Sequence, residues 1–274
     1  MTTLGGTPTL IGVPYDASSS FARGPADAPA VIRGALWSAS ANSWTELGVD
    51  IGAEGAITDA GDLDLAGCSP ADARRGIERS LARLLDIGAR PVSLGGDHSI
   101  TYPILRAVRP RAPRLTIVHI DAHADLYDEF EGDRFSHACP FARIMEEGLA
   151  DRLIQIGIRT LTAHQRAQAR RYGVEVVEMR HLKPDIVLPA DAPLYVSIDL
   201  DALDPAFAPG VSHREPGGMT VRQLLSIVQG IEAPIVAADV VELNPRNDAG
   251  GVSAFAAAKI LREILGIMVS QRRD

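Results

Sequence analysis

The chain has 274 residues, 46% of them hydrophobic and 23% charged, with a formal net charge of -8. That is enough apolar material for one large core, near the size at which single domains begin to divide. The acidic balance, without any basic run interleaved with aromatics, excludes a typical nucleic-acid surface, and no segment reaches the roughly 20 apolar residues of a membrane span.

Taken from the amino terminus, Met1–Gly12 lacks a charged start followed by an apolar stretch, which reads as a cytosolic protein. A strand is expected at Thr9–Tyr15 and a helix at Ala28–Ala39, then a weaker strand near Ile57 and a helix at Ala71–Ile87. Strand Arg90–Leu94, helix Ser99–Val108, strand Leu115–Ile120 and helix Pro140–Gly148 come next. The rest reads as strand Leu153–Gly157, helix Ala163–Tyr172, strands Val174–Glu178 and Leu194–Ile198, helix Val221–Gly230, strand Ile235–Val240 and helix Ser253–Gln271. Such alternation is the βαβ signal, and continuous apolar strands suit a parallel sheet covered on both faces. With no compositional break, the expected fold is one α/β domain spanning 1–274. Cys68 and Cys139 stand far apart, outside any CxxC pair, and read as free thiols.

Three segments end apolar runs: Gly95-Gly96-Asp97-His98, Asp121-Ala122-His123-Ala124-Asp125 and Asp199-Leu200-Asp201. In open parallel sheets, ligand sites lie beyond the carboxyl ends of strands. Taken alone, Asp97-His98 could cap a helix starting near Ser99, and Asp199-Leu200-Asp201 could be a solvated turn. Three metal-capable residues at every second position after an apolar strand have little use in a core. Convergence of Asp121, Asp125, Asp199 and Asp201 would be prohibitively repulsive without cations, and two divalent ions would neutralise it. Dinuclear sites hold ions about 3.5–4 Å apart through bridging carboxylates, and an oxygen-rich ligand set without thiolates favours Mn(II) over Zn(II). An extended chain would leave the Asp121 and Asp125 carboxylates roughly 13 Å apart at about 3.3 Å per residue, so the chain must curl after the strand.

These residues resemble the ureohydrolases, the family of arginase and agmatinase. Gly-Gly-Asp-His-Ser at 95–99, Asp-Ala-His-Ala-Asp at 121–125 and Ser-Ile-Asp-Leu-Asp-Ala-Leu-Asp-Pro-Ala-Phe-Ala-Pro-Gly at 197–210 match its three signatures in order. Likeness continues through Ser136-His137-Ala138, Gly157-Ile158-Arg159, Glu215-Pro216-Gly217-Gly218 and Val240-Val241-Glu242-Leu243-Asn244-Pro245. The resemblance implies a single three-layer domain with a central, mostly parallel β-sheet flanked by helices. It implies two Mn(II) per chain, one held by His98, Asp121, Asp125 and Asp199, the other by Asp121, His123, Asp199 and Asp201. Asp125 would carry the proton to the leaving nitrogen, His137 would shuttle protons to solvent, and Glu242 would grip the substrate guanidinium.

The stretch from Tyr127 to Gly148 and Ser212-His213-Arg214-Glu215-Pro216 look most like plant arginases and bacterial relatives near the agmatinases. Tyr127 stands where animal and bacterial arginases carry an Asn that reads the substrate's α-carboxylate, which ranks agmatine, giving putrescine and urea, slightly above L-arginine, giving L-ornithine and urea. 4-Guanidinobutyrate stays open, and Arg214 would favour an acid if it pointed inward. A non-catalytic metal-binding homologue is the reading from a different class. Partners implied are a small guanidino substrate and further copies of the chain in a homo-oligomer, a trimer or hexamer.

Overall fold

The computed structural model describes residues 6–272. Met1–Gly5, on which the cytosolic reading partly rests, and the last two residues of the expected 1–274 domain lie outside the described residues. The strands are β1 (Pro8–Gly12), β2 (Thr58–Asp62), β3 (Arg90–Leu94), β4 (Thr116–Ile120), β5 (Arg152–Ile158), β6 (Glu175–Glu178), β7 (Leu194–Asp199) and β8 (Ile235–Val241). The helices are α1 (Ala28–Leu36), α2 (Pro70–Asp86), α3 (Thr101–Val108), α4 (Pro140–Glu146), α5 (Ala163–Tyr172), α6 (Val221–Gln229) and α7 (Val252–Ser270). The strands form one eight-stranded sheet in the order β2-β1-β3-β8-β7-β4-β5-β6. Every pairing is parallel, so the mostly parallel expectation becomes a wholly parallel sheet among the described residues.

Alternate strand positions feed two apolar layers. Leu94, Val118, Ile120, Val196, Ile198 and Val240 pack with α1, α6 and α7, through Ile32, Leu36, Leu225 and Leu261. Ile11, Ile117, Leu153, Tyr195 and Val241 pack on the other face with Ile77, Leu81, Ile104 and Phe141 of α2, α3 and α4. Each fully buried Leu or Ile contributes about 1.5–3 kcal/mol, which secures a strand covered on both faces. β2 is fully exposed and acidic, and Arg33 of α1 holds its Asp59 and Asp62, an edge without an apolar run to announce it.

Local chemistry moves two predicted boundaries. β1 stops at Gly12 instead of Tyr15 because Tyr15 N–H turns back to Val13 O, 2.8 Å away. The helix expected from Ser99 begins as a 3-10 turn at His98–Ile100, capped by Asp97, before α3 proper. Glycine is required at position 96, where a Cβ would stand 1.8 Å from Tyr15 O. The chain leaving β3 therefore passes close beneath the end of β1 and delivers Asp97 and His98 to the middle of the sheet.

Candidate metal and substrate site

Beyond the carboxyl ends of the four central strands β3, β8, β7 and β4, the structure brings together His98, Asp121, His123, Asp125, Asp199, Asp201, His137 and Glu242. All but His98 and Asp121 line a cavity of about 320 Å³. His98 and Asp121 lie beneath it, both fully buried. A larger recess, about 660 Å³, sits at the opposite end of the strands, and there the buried Arg90 guanidinium is taken up by Ile235 O and Met268 O. It gathers no comparable cluster.

His98 carries the test for a metal. Its Nε2 is 3.0 Å from Ser197 Oγ, and Ser197 in turn donates to Asp239 Oδ1 at 2.6 Å. Asp239 also accepts from Thr101 Oγ1 and the Tyr195 hydroxyl on its other oxygen. With the serine proton committed to that carboxylate, Nε2–H must be the donor to Ser197, which leaves Nδ1 with a bare lone pair in the neutral ring. Nδ1 is buried without a hydrogen-bond partner and faces Asp125 Oδ2 at 3.1 Å and Asp121 Oδ2 and Asp199 Oδ2 at 3.2 Å. A lone pair pointed at three carboxylates is repulsive unless a cation or a proton stands between them. Burial opposes charge on His98, but those three carboxylates outweigh it and hold its pKa well above the ordinary range.

Three of the carboxylates are arranged alike, one oxygen pinned by a backbone N–H and the second turned inward. Asp199 Oδ1 accepts from Asp201 N–H at 2.8 Å, Asp201 Oδ1 from Ala122 N–H at 3.2 Å, and Asp121 Oδ1 from His123 N–H at 2.5 Å. His123 Nδ1 lies 3.0 Å from Asp201 Oδ2 and 3.5 Å from Asp121 Oδ1. Burial, with Asp201 and Asp121 close by, raises the Asp199 carboxyl well above the usual range; burial and Asp121 push Asp201 to about 6. These residues fit a pair of divalent cations. The curl expected after Asp121 is made by a bend at Ala122 and His123, and Asp125 and Glu242 have positive φ, 49° and 64°. Side chains seldom tolerate that region, at roughly 1–3 kcal/mol, and such strain gathers at functional sites.

Glu242 Oε1 accepts the His98 backbone N–H at 2.9 Å and lies 3.4 Å from His137 Nδ1, while Oε2 is buried and unpartnered. Burial opposes its charge, yet His137 holds Glu242 below its ordinary pKa. His137 shows the counterpart: burial lowers, Glu242 raises more, and the imidazole reaches about 9. Its Nε2 meets Ser20 Oγ at 2.8 Å. Tyr127 lines the cavity, joined by Phe130, Thr160, Thr162 and Gln165. Arg214 does not point inward; it is exposed and donates to Pro209 O at 2.8 Å, so the condition under which it would favour an acid is not met.

Several site residues were given no role by the sequence. His213 lines the cavity with its ring stacked on His137, centroids 4.8 Å apart. Ser197 opens the third signature without a role of its own, and Asp239, His119 and Gln155 were visible only as lone polar residues within apolar strands. Gln155 Nε2 lies 2.6 Å from Ala124 O and 3.0 Å from His119 Nδ1. A carbonyl can only accept, so the amide nitrogen donates both ways, His119 Nδ1 accepts, and His119 Nε2–H donates to Asp121 Oδ2 at 2.7 Å. Phe141 stacks on the ring at 3.9 Å and holds its plane. Gln155→Leu should free that tautomer and weaken divalent-cation binding by about 10–100-fold. Chelator competition measures it, and unchanged affinity would remove Gln155 from the support of Asp121.

A family model, that of the Arginase family, matches residues 7–266. Arginase 1, mitochondrial, from Arabidopsis thaliana is 46% identical over 271 residues, covering 93% of this chain and 79% of that protein. The solved arginase from Medicago truncatula superposes with a TM-score of 0.92 at 44% identity, covering 96% of this chain and 88% of the other. A hypothetical agmatinase from Burkholderia thailandensis gives 0.86 at 30% identity, covering 97% and 87%. The cytosolic reading is corrected here: a relative aligned over 93% of the chain is named mitochondrial, so the character of the first dozen residues assigns no compartment. No helix among the described residues is long and apolar enough to cross a membrane.

Proposed function

The chain belongs to the arginase family of ureohydrolases, enzymes acting on guanidino substrates, and from that premise we propose that it hydrolyses L-arginine to L-ornithine and urea. The ranking of agmatine over arginine, drawn from Tyr127, is reversed: relatives named arginase are similar at 46% and 44% identity, against 30% for the hypothetical agmatinase. The cavity supports a zwitterionic substrate. Hydroxyl and amide donors from Ser20, Tyr127, Thr160 and Gln165 can take a carboxylate without a cation, and the Glu215 carboxylate suits an ammonium group.

The observation that carries the hydrolytic reading is the bare His98 Nδ1 ringed by Asp121, Asp125 and Asp199, beside the free Oε2 of Glu242. We propose that His98, Asp121, Asp125 and Asp199 hold one Mn(II), and that Asp121, His123, Asp199 and Asp201 hold the second. Such a pair supplies charge neutralisation and a water acidified enough to attack near neutral pH. Glu242 Oε2 takes the guanidinium N–H groups in a charge-assisted pair and so presents the guanidinium carbon to the metal side of the cavity. The water oxygen becomes the oxygen of urea, the bond from carbon to the substituted nitrogen breaks, and Asp125 carries the water's proton to that nitrogen. His137, protonated beside Glu242, exchanges the remaining proton with solvent through Nε2 and Ser20. The whole chain, 1–274, acts as one domain in this reading, and it assembles with copies of itself as a trimer or hexamer.

Urea release from L-arginine, agmatine and 4-guanidinobutyrate after Mn(II) loading tests the proposal. Arginine should lead in kcat/KM by about tenfold or more, which corresponds to ~1.4 kcal/mol of differential transition-state binding. Agmatine equal to or above arginine would overturn the arginine assignment.

A further inference from the structure

A second set of donors converges at the outer side of the same cavity. One nitrogen of His137, one of His213 and a carboxylate oxygen of Glu242 lie within 4.8 Å of one another. His137 Nδ1 and Glu242 Oε1, 3.4 Å apart, already have the separation of two ligands on a tetrahedral zinc, about 3.3–3.5 Å for bonds of ~2.0–2.1 Å. Glu242 Oε2 is buried and unpartnered, so the carboxylate keeps lone pairs to give. The His213 ring lies at 26° to that of His137, with Phe21 tilted against it at 5.9 Å. Being only half-buried, it can turn toward the other two donors without disturbing the core.

We propose that His137, His213 and Glu242 form a separate inhibitory site for zinc, which stops the enzyme by occupying the carboxylate that would receive the guanidinium. This rests on the assignment of Glu242 to the guanidinium. Two imidazoles and one carboxylate are a set that zinc takes in open three-ligand sites, with the fourth position left to water, here on the cavity side. The four-aspartate cluster is the harder donor set and keeps a harder ion, so one cavity sorts two metals by ligand softness. Charge agrees: zinc would displace the proton that His137 holds beside Glu242 and meet the Glu242 charge itself, so the carboxylate can face a guanidinium or a zinc ion, but not both together.

The experiment titrates zinc chloride into the Mn(II)-loaded enzyme and measures metal content after rapid desalting, with and without L-arginine. Wild type should retain one zinc in addition to its manganese, lose urea release as that zinc binds, and regain it as arginine rises. His213→Ala should weaken zinc retention by about 100-fold or more, and His213→Cys, which restores a zinc ligand, should recover it. Each variant is compared with its own zinc-free state. Zinc that enters only by displacing manganese, or that binds wild type and His213→Ala alike, overturns the proposal; so does the absence of inhibition up to 0.1 mM zinc. Zinc content is read without substrate, so failure here is distinct from failure of the arginine assignment, which urea release alone decides.

Discussion

Asp199→Ala should abolish urea release and leave the protein unable to retain either manganese ion. Asp199 closes β7, gives Oδ1 to Asp201 N–H at 2.8 Å and turns Oδ2 toward His98 Nδ1 at 3.2 Å. With Asp121 it is one of the two carboxylates proposed as donors to both ions, so its loss would remove a ligand from each and one of the four balancing charges. Turnover is expected to fall by about four orders of magnitude or more, equivalent to ~5.5 kcal/mol. Unfolding is not the cause to expect. Burial and the neighbouring Asp201 and Asp121 already raise the Asp199 carboxyl well above its ordinary range, so without metal its removal relieves a strained group. Metal content, turnover and the thermal midpoint of the metal-free protein read the outcome together; two retained ions, or full activity with one, would refute the bridging role.

Glu242→Gln is expected to keep both metals yet lose turnover by roughly two orders of magnitude or more. The amide oxygen can still accept the His98 N–H now 2.9 Å from Oε1, so the loop after β8 keeps its tie to the loop after β3. What disappears is the charge facing the guanidinium, and a charge-assisted pair in a water-poor site is worth about 2–4 kcal/mol of transition-state stabilisation. His137 should respond as well: without the carboxylate that lifts it to about 9, burial returns it toward or below the ordinary imidazole value, which NMR titration of the ring would follow. Near wild-type rates on arginine and agmatine would place the guanidinium grip elsewhere.

The sheet was legible because its strands are buried on both faces and read as unbroken apolar runs; β3 and α5 even keep their expected limits. β2 was faint for the converse reason, since Thr58–Asp62 packs no side chain into the core. Strand order was not legible: nothing in Ile235–Val241 states that it lies between β3 and β7. The site's donors stood out where several metal-capable residues followed one strand, as at 121–125. The roles of Asp239 and of Ser197, which opens the third signature, were hidden because a single polar residue in an apolar strand has many uses, and only their separation by one hydrogen bond reveals that they orient His98. The role of His213 was hidden for a different reason. A loop histidine acquires meaning from what the fold stacks against it, and that partner, His137, is 76 positions earlier in the chain.

The strand order has a consequence for how the molecule comes into being. β3 pairs with β1 and β8, and β7 with β4 and β8, so β3 and β7 never touch as ladder partners. On a ribosome the last strand to emerge is the keystone. Until residues 235–241 appear, the nascent chain holds two half-sheets, each ending in an open apolar edge at what will be the middle of the molecule. Such edges are templates for pairing with other chains, and contacts this distant in sequence close slowly. The first half-sheet carries His98 and the second carries Asp121, Asp125, Asp199 and Asp201, so the lone pair and its ring of carboxylates meet only when β8 slides between them. Synthesis therefore finishes the scaffold and the chemistry in one step, and a chain cut short before β8 would have neither.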